Sequence, residues 1–369
     1  MASGPLSGIR LIEMDAIGPV PVCGMILSGL GAEIIRIERA GGQAAYSDVG
    51  TSVIMRGRKT ISLDLKSPED RAAVLALVAG ADGLMEGARP GVMERLGLGP
   101  AECLAANPRL VYGRMTGWGQ EGPLSLTAGH DINYIAMTGA LSAIGKAGET
   151  PAVPLNLVGD YAGGTMFLAL GMVSALLSAK TSGKGQVVDV AMVDGVANLL
   201  GIFHAFLSTG LWQDQRGVNL LDGSAPFYRC YGCKGDNGEA VGGYVAVGPL
   251  EPQFFAQLLA GLDIPADRYQ QYDKACWPAM EADFAQIFLT RTREEWEQRF
   301  AGSDACLSPV LSMREAMAHP ANTARGVFLD HGGVSQAAPA PRFSATPGEV
   351  WPSVNLTVAE ALESWSAPR

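Results

Sequence analysis

Four side chains of this sequence have the types and the surroundings that proton-transfer chemistry requires. His130, one of only four histidines, lies beside Asp131 in the segment AGHDINYIAMTG. Asp160 lies among apolar and glycine residues in PLNLVGDYAGG, and Glu251 lies in AVGPLEPQFF, at the end of a β-branched run. Imidazole and carboxyl groups act as general acids and bases when their surroundings bring their proton affinities close to neutral pH. These residues are therefore candidates for catalysis.

Each candidate also has a purely structural interpretation. A lone histidine is more often structural than catalytic. An acid such as Asp160 is a frequent helix N-cap, and on the residues alone the cap is favoured over a working carboxylate. Glu251 has the same type of alternative, as an acid at the start of a helix.

The elements before His130 alternate between strands and helices. This rhythm predicts a parallel sheet with helices on its faces. His130 follows the last of these strands and a glycine-rich loop, and loops after the carboxyl ends of parallel strands are where ligands bind. The predicted strands are Gly8–Asp15, Ala32–Arg39, Thr60–Leu65, Asp82–Gly87 and Leu110–Gly119, and the predicted helices are Pro19–Gly31, one after the Ser67 N-cap, and Gly91–Pro100.

Downstream of His130 the patterns change. A helix-rich stretch is predicted from Gly163 to about Trp212, followed by a strand, a loop and a helix over Tyr244–Leu262. Residues from about 265 to 318 form a smaller α-rich region, and a capped helix, TVAEALESW, follows a proline-rich bend near the carboxyl end.

Composition restricts the function classes. The net charge of −10 argues against nucleic acid as the main partner. The first residues lack a basic stretch followed by an apolar run, so no signal peptide is predicted. The run Thr165–Ala179 is short for a membrane span, so a core helix and no membrane partner are expected. Six cysteines fit a reducing cytoplasm, and the pair Cys230 and Cys233 lacks the second pair that a zinc site needs, so no metal is predicted.

Several common catalytic motifs are missing from the sequence. The first turn, AIGPVPVCG, does not match the glycine pattern of a dinucleotide site, although Glu38 ends the second strand as a ribose ligand would. The sequence has no phosphate loop, no G-x-S-x-G nucleophile elbow and no histidine-pair metal motif.

Nine segments spread over nearly the whole chain carry a specific family resemblance. They are GPLSGIRLIEM, LGAEIIRIER, LDLKSPE, EGARPGVMERLGLGP, RMTGWGQEGPL, AGHDINYIAMTG, LNLVGDYAGG, SGKGQVVDVAMVDG and YVAVGPLEPQF. In these segments the chain resembles the α-methylacyl-CoA racemases of the class III CoA-transferase superfamily, which act on acyl-CoA in lipid metabolism.

Together with the element pattern, the resemblance predicts an α/β fold. A large Rossmann-like parallel-sheet domain and a smaller α+β domain would be joined by long helical linkers. The expected bounds are 1–200 for the large CoA-binding domain, 201–225 for a linker, 226–320 for the small domain and 321–369 for a segment that returns to the large domain.

The resemblance implies a role for each candidate. His130 and Asp160 would transfer the proton at C2 of a 2-methylacyl-CoA thioester through an enolate. Glu251 would hydrogen-bond and orient the histidine from the partner chain of an interlocked homodimer. Racemisation fits these types, because an acid and a base must face the carbon from opposite sides. An apolar pocket would raise the pKa of the aspartate toward the working range.

The resemblance also implies a site for the coenzyme A part of the substrate, with no separate cofactor required. Main-chain N–H groups near the H-D-I-N segment would stabilise the enolate oxygen. The implied binding residues are the basic Arg39, Lys66, Arg89 and Arg95, and also Leu63, Asp64, Leu65, Gly87, Ala88, Gly129, Ile132, Asn133 and Tyr134.

The same superfamily supplies the alternative. Its CoA-transferases use an aspartate at the position of Asp131 as a nucleophile. Three features favour the racemase: His130 stands where transferases have an aromatic residue, Glu251 is present, and the V-G-D segment with Asp160 is complete. One departure from the family pattern is the long turn Cys233–Gly243.

Overall fold

The computed structural model describes residues 3–41, 51–235 and 241–366, and these divide into two compact units. The first unit comprises residues up to Thr138, Pro154–Gly201 and the segment from Pro320 onward. The second unit comprises Gly139–Val153 and Ile202–His319. The centre of the long turn after Cys233 lies outside the described residues.

Within the described residues, a seven-stranded parallel sheet forms the first unit, in the strand order β12-β3-β2-β1-β4-β5-β6. The predicted α/β sheet is thereby confirmed. Its strands are β1 (Arg10–Met14), β2 (Glu33–Arg39), β3 (Arg58–Leu63), β4 (Gly83–Glu86), β5 (Val111–Thr116), β6 (Gln186–Ala191) and β12 (Val354–Asn355).

Helices cover both faces of this sheet, and a β-hairpin of β10 (Phe328–His331) and β11 (Val334–Ala337) joins the unit. Ser67 caps the third helix as predicted, because its hydroxyl accepts the backbone N–H of Asp70. The helices are α1 (Pro19–Gly29), α2 (Thr51–Ile54), α3 (Pro68–Gly80), α4 (Val92–Arg95), α5 (Pro100–Ala106), α6 (Asp131–Met137), the π-helix (Leu157–Thr165), α8 (Met166–Ser182), α9 (Met192–Leu199), α15 (Pro320–Arg325) and α16 (Val358–Ser366); α7 (Ala140–Ala143) belongs to the second unit.

Alternation along the strands builds a separate core on each face. Leu11 packs in the cluster that contains α1 and α8, whereas its neighbour Ile12 packs in the cluster that contains α3 and α16. Successive side chains of a strand point to opposite faces, so strands covered on both faces must be apolar throughout. The order of the strands reverses at β1, and in such sheets the crevice for a ligand lies at this reversal.

A buried ion cluster lies beneath α1. Glu13 bridges the guanidinium groups of Arg36 and Arg58, and all three residues are fully buried. Gly24 of α1 makes this approach feasible, because a Cβ there would lie 1.9 Å from a carboxylate oxygen of Glu13. A buried charge needs such partners, and removal of one partner typically costs about 3–5 kcal/mol. The cluster thus ties α1 to the strands that lead into the crevice.

One element of the helix-rich stretch was wrongly predicted. The segment Gln186–Ala191 is a strand, β6, at the edge of the sheet. Gly183 ends α8 in the left-handed conformation, and the backbone N–H of Gln186 then donates to the carbonyl of Leu110. An apolar run that contains β-branched residues cannot be separated from a buried helix by periodicity alone.

In the described part of the second unit, helices surround a three-stranded antiparallel sheet, which confirms the α+β prediction for this part of the chain. Arg216 donates to the carbonyls of Ser142, Lys146 and Glu149, so the segment Gly139–Val153 belongs to this unit although we assigned it to the large domain. The elements are α10 (Gly201–Thr209), β7 (Arg229–Gly232), β8 (Tyr244–Val247), α11 (Pro252–Gly261), α12 (Trp277–Phe288), α13 (Arg293–Phe300), β9 (Leu307–Val310) and α14 (Met313–Ala318).

The π-helix and α8 together, Leu157–Ser182, form one run of described residues that is long and apolar enough to cross a membrane. The bent pair α9 and α10 passes the same criterion only if it is counted as one span. Half of the most apolar window of the first run is buried in the fold, and α8 packs on β5 and β6. A core helix has the same length and composition.

Candidate active site

A cavity of about 320 Å³ opens in the first unit at the carboxyl edge of the sheet. The loops after β1, β4 and β5 form its walls together with the π-helix and α9, so the cavity lies where the strand order reverses. His130 and Asp160 both line it. The other lining residues are Ile17, Gly18, Pro19, Val20, Gly87, Ala88, Arg89, Pro90, Met115, Thr116, Gly117, Trp118, Ser125, Thr127, Ala128, Gly129, Tyr134 and Met192.

His130 is held at the cavity through its backbone. It is the exposed residue that immediately precedes α6, and its backbone N–H donates to Oδ1 of Asn133, one turn along the helix, over 3.1 Å. Next to it, the hydroxyl of Tyr134 donates to the carbonyl of Gly129. The first turn of α6 therefore fixes the position of His130 and leaves its imidazole exposed.

Asp160 lies inside the π-helix, so the interpretation of this residue as a helix N-cap is wrong; Asn156 precedes the first turn. Burial raises the pKa of the Asp160 carboxyl above its ordinary value. The Asn156 amide, which donates to Oδ2 over 3.2 Å, opposes this shift. The charge of Asp131 raises the pKa further, and His130 lowers it. The surroundings of Asp160 therefore shift its pKa in the direction that general acid–base catalysis requires.

Asp131 is near the cavity but does not line it. Only 4% of the residue is exposed, and its Oδ2 accepts the backbone N–H groups of Gly159 and Asp160 over 2.6 and 2.8 Å. Its Oδ1 is buried and has no hydrogen-bond partner among the described residues. The two neighbouring aspartates therefore differ: Asp160 faces the cavity, and Asp131 faces the backbone of the π-helix.

Tyr134 lines the cavity together with Asp160, Arg89 and Trp118. Burial raises the pKa of its phenol, the charge of Asp160 raises it further, and Arg89 opposes the shift. The Tyr134 ring also packs edge-on against Trp118, with ring centroids 4.8 Å apart. The cavity thus combines an imidazole, a carboxyl, a phenol and a guanidinium at one edge of the sheet.

The residues proposed for coenzyme A lie along the same edge. Arg39 ends β2, Leu63 ends β3, and Gly87 to Arg89 follow β4. Gly87, Ala88, Arg89, Gly129 and Tyr134 line the cavity, whereas Arg39, Leu63, Asp64, Leu65, Lys66, Arg95, Ile132 and Asn133 do not.

A second ion cluster holds the loop after β4. Glu86, at the end of β4, accepts the backbone N–H of Ala88 over 2.6 Å and pairs with Arg114 of β5. Arg114 also pairs with Glu94 of α4, the neighbour of Arg95. One buried arginine thereby anchors both segments that carry the proposed phosphate ligands Arg89 and Arg95.

Glu251 lies in the second unit, at the first position before α11. Its side chain is exposed and makes no capping hydrogen bond with the described residues, so the helix-start interpretation fits its position and not its contacts. Its charge contributes to the raised pKa of Cys306, after the effect of burial. The pair Cys230 and Cys233 consists of two free thiols, the first within β7 and the second directly after it.

The loop after β1 was missed as part of the site. Ile17 to Val20 line the cavity, but the loop lacks the glycine pattern of a dinucleotide site. Pro19 and Pro21 leave only Val20 with an N–H among the first three residues of α1, so this helix end offers few donors to a pyrophosphate. The position of the loop, directly after the first strand of a parallel sheet, is the signal that could have identified it.

Comparisons with known proteins agree with this architecture. The profile described as CoA-transferase family III matches residues 6–354. An alpha-methylacyl-CoA racemase of Mus musculus is 43% identical over 366 residues, which cover 98% of this chain and 93% of the relative. The racemase of the same name from Homo sapiens is 42% identical over 325 residues, which cover 88% of this chain and 82% of the relative.

A solved structure is similar to the whole fold. The CAIB/BAIF family protein from Brucella suis superposes with a TM-score of 0.81, covers 99% of both chains and is 23% identical in sequence, so it supports the fold alone. The family profile spans the sheet, the cavity residues and the second unit. The profile match over residues 6–354 and the identity of 43% to an alpha-methylacyl-CoA racemase show the family. This chain belongs to CoA-transferase family III.

Proposed function

We propose that this chain is an acyl-CoA racemase that interconverts the 2R and 2S forms of 2-methylacyl-CoA thioesters. The observation that carries the proposal is the pair of proton-exchanging groups on one cavity, His130 and the half-buried Asp160 with its raised pKa. The identity of 43% to a racemase over nearly the full chain supports the same conclusion.

The reaction consists of two proton transfers, one from C2 to the enzyme and one from the enzyme to C2, and it leaves the composition of the substrate unchanged. One of the two groups removes the C2 proton, and the electron pair of the C–H bond moves into the enolate of the thioester. The other group then donates a proton to the opposite face of C2, which inverts the centre. Main-chain N–H groups near His130 would stabilise the enolate oxygen, and each proton-transfer group typically contributes about 10²–10⁴-fold to the rate.

Coenzyme A would be held by the cations along the carboxyl edge of the sheet. Arg39, Lys66, Arg89 and Arg95 are exposed, so they can pair with the 3′-phosphate and the pyrophosphate. Coenzyme A enters and leaves with the substrate, and the proposal includes no further cofactor and no metal.

The proposal extends to assembly and location. By the resemblance to the racemases, Glu251 would orient His130 across the interface of a homodimer. The enzyme would work in the cytoplasm on a small-molecule substrate, without nucleic acid or membrane partners.

The alternative is a CoA-transferase that uses Asp131 as its nucleophile. A nucleophilic carboxylate must reach the thioester carbon, but Asp131 is 4% exposed and its Oδ2 is occupied by two backbone N–H groups. These contacts support the racemase over the transferase.

The direct test is incubation of the purified protein with one epimer of a 2-methylacyl-CoA in D₂O. We expect deuterium to enter at C2 while the two epimers approach equal amounts. Mass spectrometry follows the deuterium, and chiral chromatography follows the epimers.

Two results would contradict the racemase. One is an unchanged epimer without deuterium, across branched fatty, bile-acid-like and 2-arylpropionyl thioesters. The other is transfer of CoA to a free acid, with conversion of the activated Asp131 carboxyl to a hydroxamate by hydroxylamine, and this result would establish the transferase.

A further inference from the structure

The first turn of α6 contacts both sides of the cavity. Asn133 holds the backbone of His130, and the carboxylate of Asp131, two residues earlier, accepts two N–H groups of the π-helix that carries Asp160. We infer that Asp131 is a positioning residue that fixes Asp160 relative to His130, and this inference rests on the proposed racemase function.

The hydrogen bonds fall where the π-helix needs them. A π-helix bonds each N–H to the carbonyl five residues earlier, so Gly159 and Asp160 at its start have no partner of their own. Asp131 supplies the acceptor for both from outside the helix. Hydrogen bonds to a charged acceptor are about twice as strong as neutral ones, so this single side chain can hold an irregular turn.

The packing leaves little freedom to the turn. A Cβ at Gly159 would lie 2.8 Å from Oδ2 of Asp131 and 3.2 Å from its Cα, so the π-helix approaches α6 as closely as a glycine allows. Displacement of a catalytic group by about 1 Å can cost on the order of 100-fold in rate. The contact therefore has a direct consequence for proton transfer at Asp160.

Asp131 also acts on Asp160 through its charge. Among the described residues, the charged or titratable groups that interact with Asp160 are Asp131 and Tyr134 of α6 and His130 before it; α1 contributes no charged side chain, and Asp194 lies on α9. Loss of the Asp131 charge removes a contribution that raises the pKa of Asp160. A merely structural residue would not move the pH dependence of Asp160 in this way.

The variants that test this role are Asp131→Asn, Asp131→Ala and Gly159→Ala. Asparagine keeps an oxygen that can accept both N–H groups and loses the charge, whereas alanine loses both. Gly159→Ala disrupts the same contact from the π-helix, because the added Cβ would push Asp131 and the π-helix apart while Asp131 itself stays unchanged. Two controls match these changes: Asp222→Asn, in which a carboxylate accepts four backbone N–H groups, and Gly171→Ala, where a Cβ would lie 2.7 Å from Val188.

The measurement is deuterium exchange at C2, started separately from each epimer. Asp160→Ala identifies the epimer whose proton faces Asp160, because the other epimer still exchanges through His130. For the Asp160-facing epimer we expect about a tenfold or larger loss in Asp131→Ala and Gly159→Ala, and a loss about fivefold smaller in Asp131→Asn. Exchange of the other epimer should change less than about threefold.

The pH profile gives the second readout. In Asp131→Asn the acid limb of the exchange rate against pH, measured with the Asp160-facing epimer, should move to lower pH. Both controls should keep the wild-type pH profile. Equal losses for both epimers, or an unshifted limb in Asp131→Asn, would overturn the positioning role. Equal inactivity of the Asn and Ala variants, with hydroxamate formation at Asp131 when the wild type turns over in hydroxylamine, would show a nucleophile. A wild type without C2 exchange is a failure of the proposed function itself.

Discussion

His130 and Asp160 line one cavity, but His130 follows an exposed loop, whereas Asp160 is half-buried in a π-helix. The histidine is held through its backbone by Asn133, and its ring faces solvent. The aspartate is held in a turn whose N–H groups are tied to Asp131. Burial raises the pKa of the Asp160 carboxyl above its ordinary value, so the two proton-transfer candidates differ in their exposure to solvent as well as in their side-chain type.

The largest expected effect is the loss of either proton-transfer group. His130→Ala and Asp160→Ala should each lower racemisation by about 100-fold or more, because each removes one face of the reaction. Each variant should still exchange the C2 proton of one epimer, and the two variants should retain opposite epimers. Binding of CoA, measured by calorimetry, serves as the control and should stay near the wild-type value. Exchange of both epimers in either variant would refute the assignment of one group to each face.

The next largest effect concerns substrate binding and not proton transfer at either face of C2. Arg89 lines the cavity, so Arg89→Ala should raise KM for the acyl-CoA by about tenfold, the typical value of one charged hydrogen bond. Because the guanidinium would hold phosphate and not C2, kcat should fall much less and both epimers should be affected alike. Steady-state kinetics with each epimer measures this. A loss in kcat alone would place Arg89 in the chemistry instead.

A smaller effect should distinguish the His130 side of the cavity from the Asp160 side. Tyr134→Phe removes the hydroxyl that donates to the carbonyl beside His130 and keeps the packing of the ring. One hydrogen bond contributes about 0.5–1.5 kcal/mol, so exchange of the His130-facing epimer should fall by up to about tenfold. The other epimer reports the Asp160 side and should fall less. The opposite order would mean that Tyr134 acts on Asp160.

The smallest effect concerns pH. Asn156→Ala removes a hydrogen bond that lowers the pKa of Asp160, so this pKa should rise further above its ordinary value. Asp160 must be ionised to act as a base, so the acid limb of kcat for the Asp160-facing epimer should move to higher pH. For the His130-facing epimer Asp160 is the acid, and the alkaline limb should move to higher pH as well. Movement of either limb to lower pH would contradict the role of Asn156.

Much of the first unit was predictable from local patterns. The strands up to β5 and the helices between them follow from apolar runs, from the Ser67 cap and from the glycine residues that end helices. The edge strand β6 was not predicted, although the polar segment KTSGKGQ separates its valines from the apolar run of α8, and its pairing with β5 identifies it as a strand. The segment Gly139–Val153 was misassigned, since three bonds from the distant Arg216 determine its unit.

The sequence by itself determined which residues could do the chemistry, because histidine and aspartate types and their motif segments are local properties. It also determined the parallel sheet, whose strands need no polar face. Only the tertiary structure decided that Asp160 is half-buried in a π-helix, while Asp131, next to His130 in the chain, faces away from the cavity. The reason is that solvation and hydrogen bonding depend on groups distant in sequence, and these groups give the two carboxylates different surroundings.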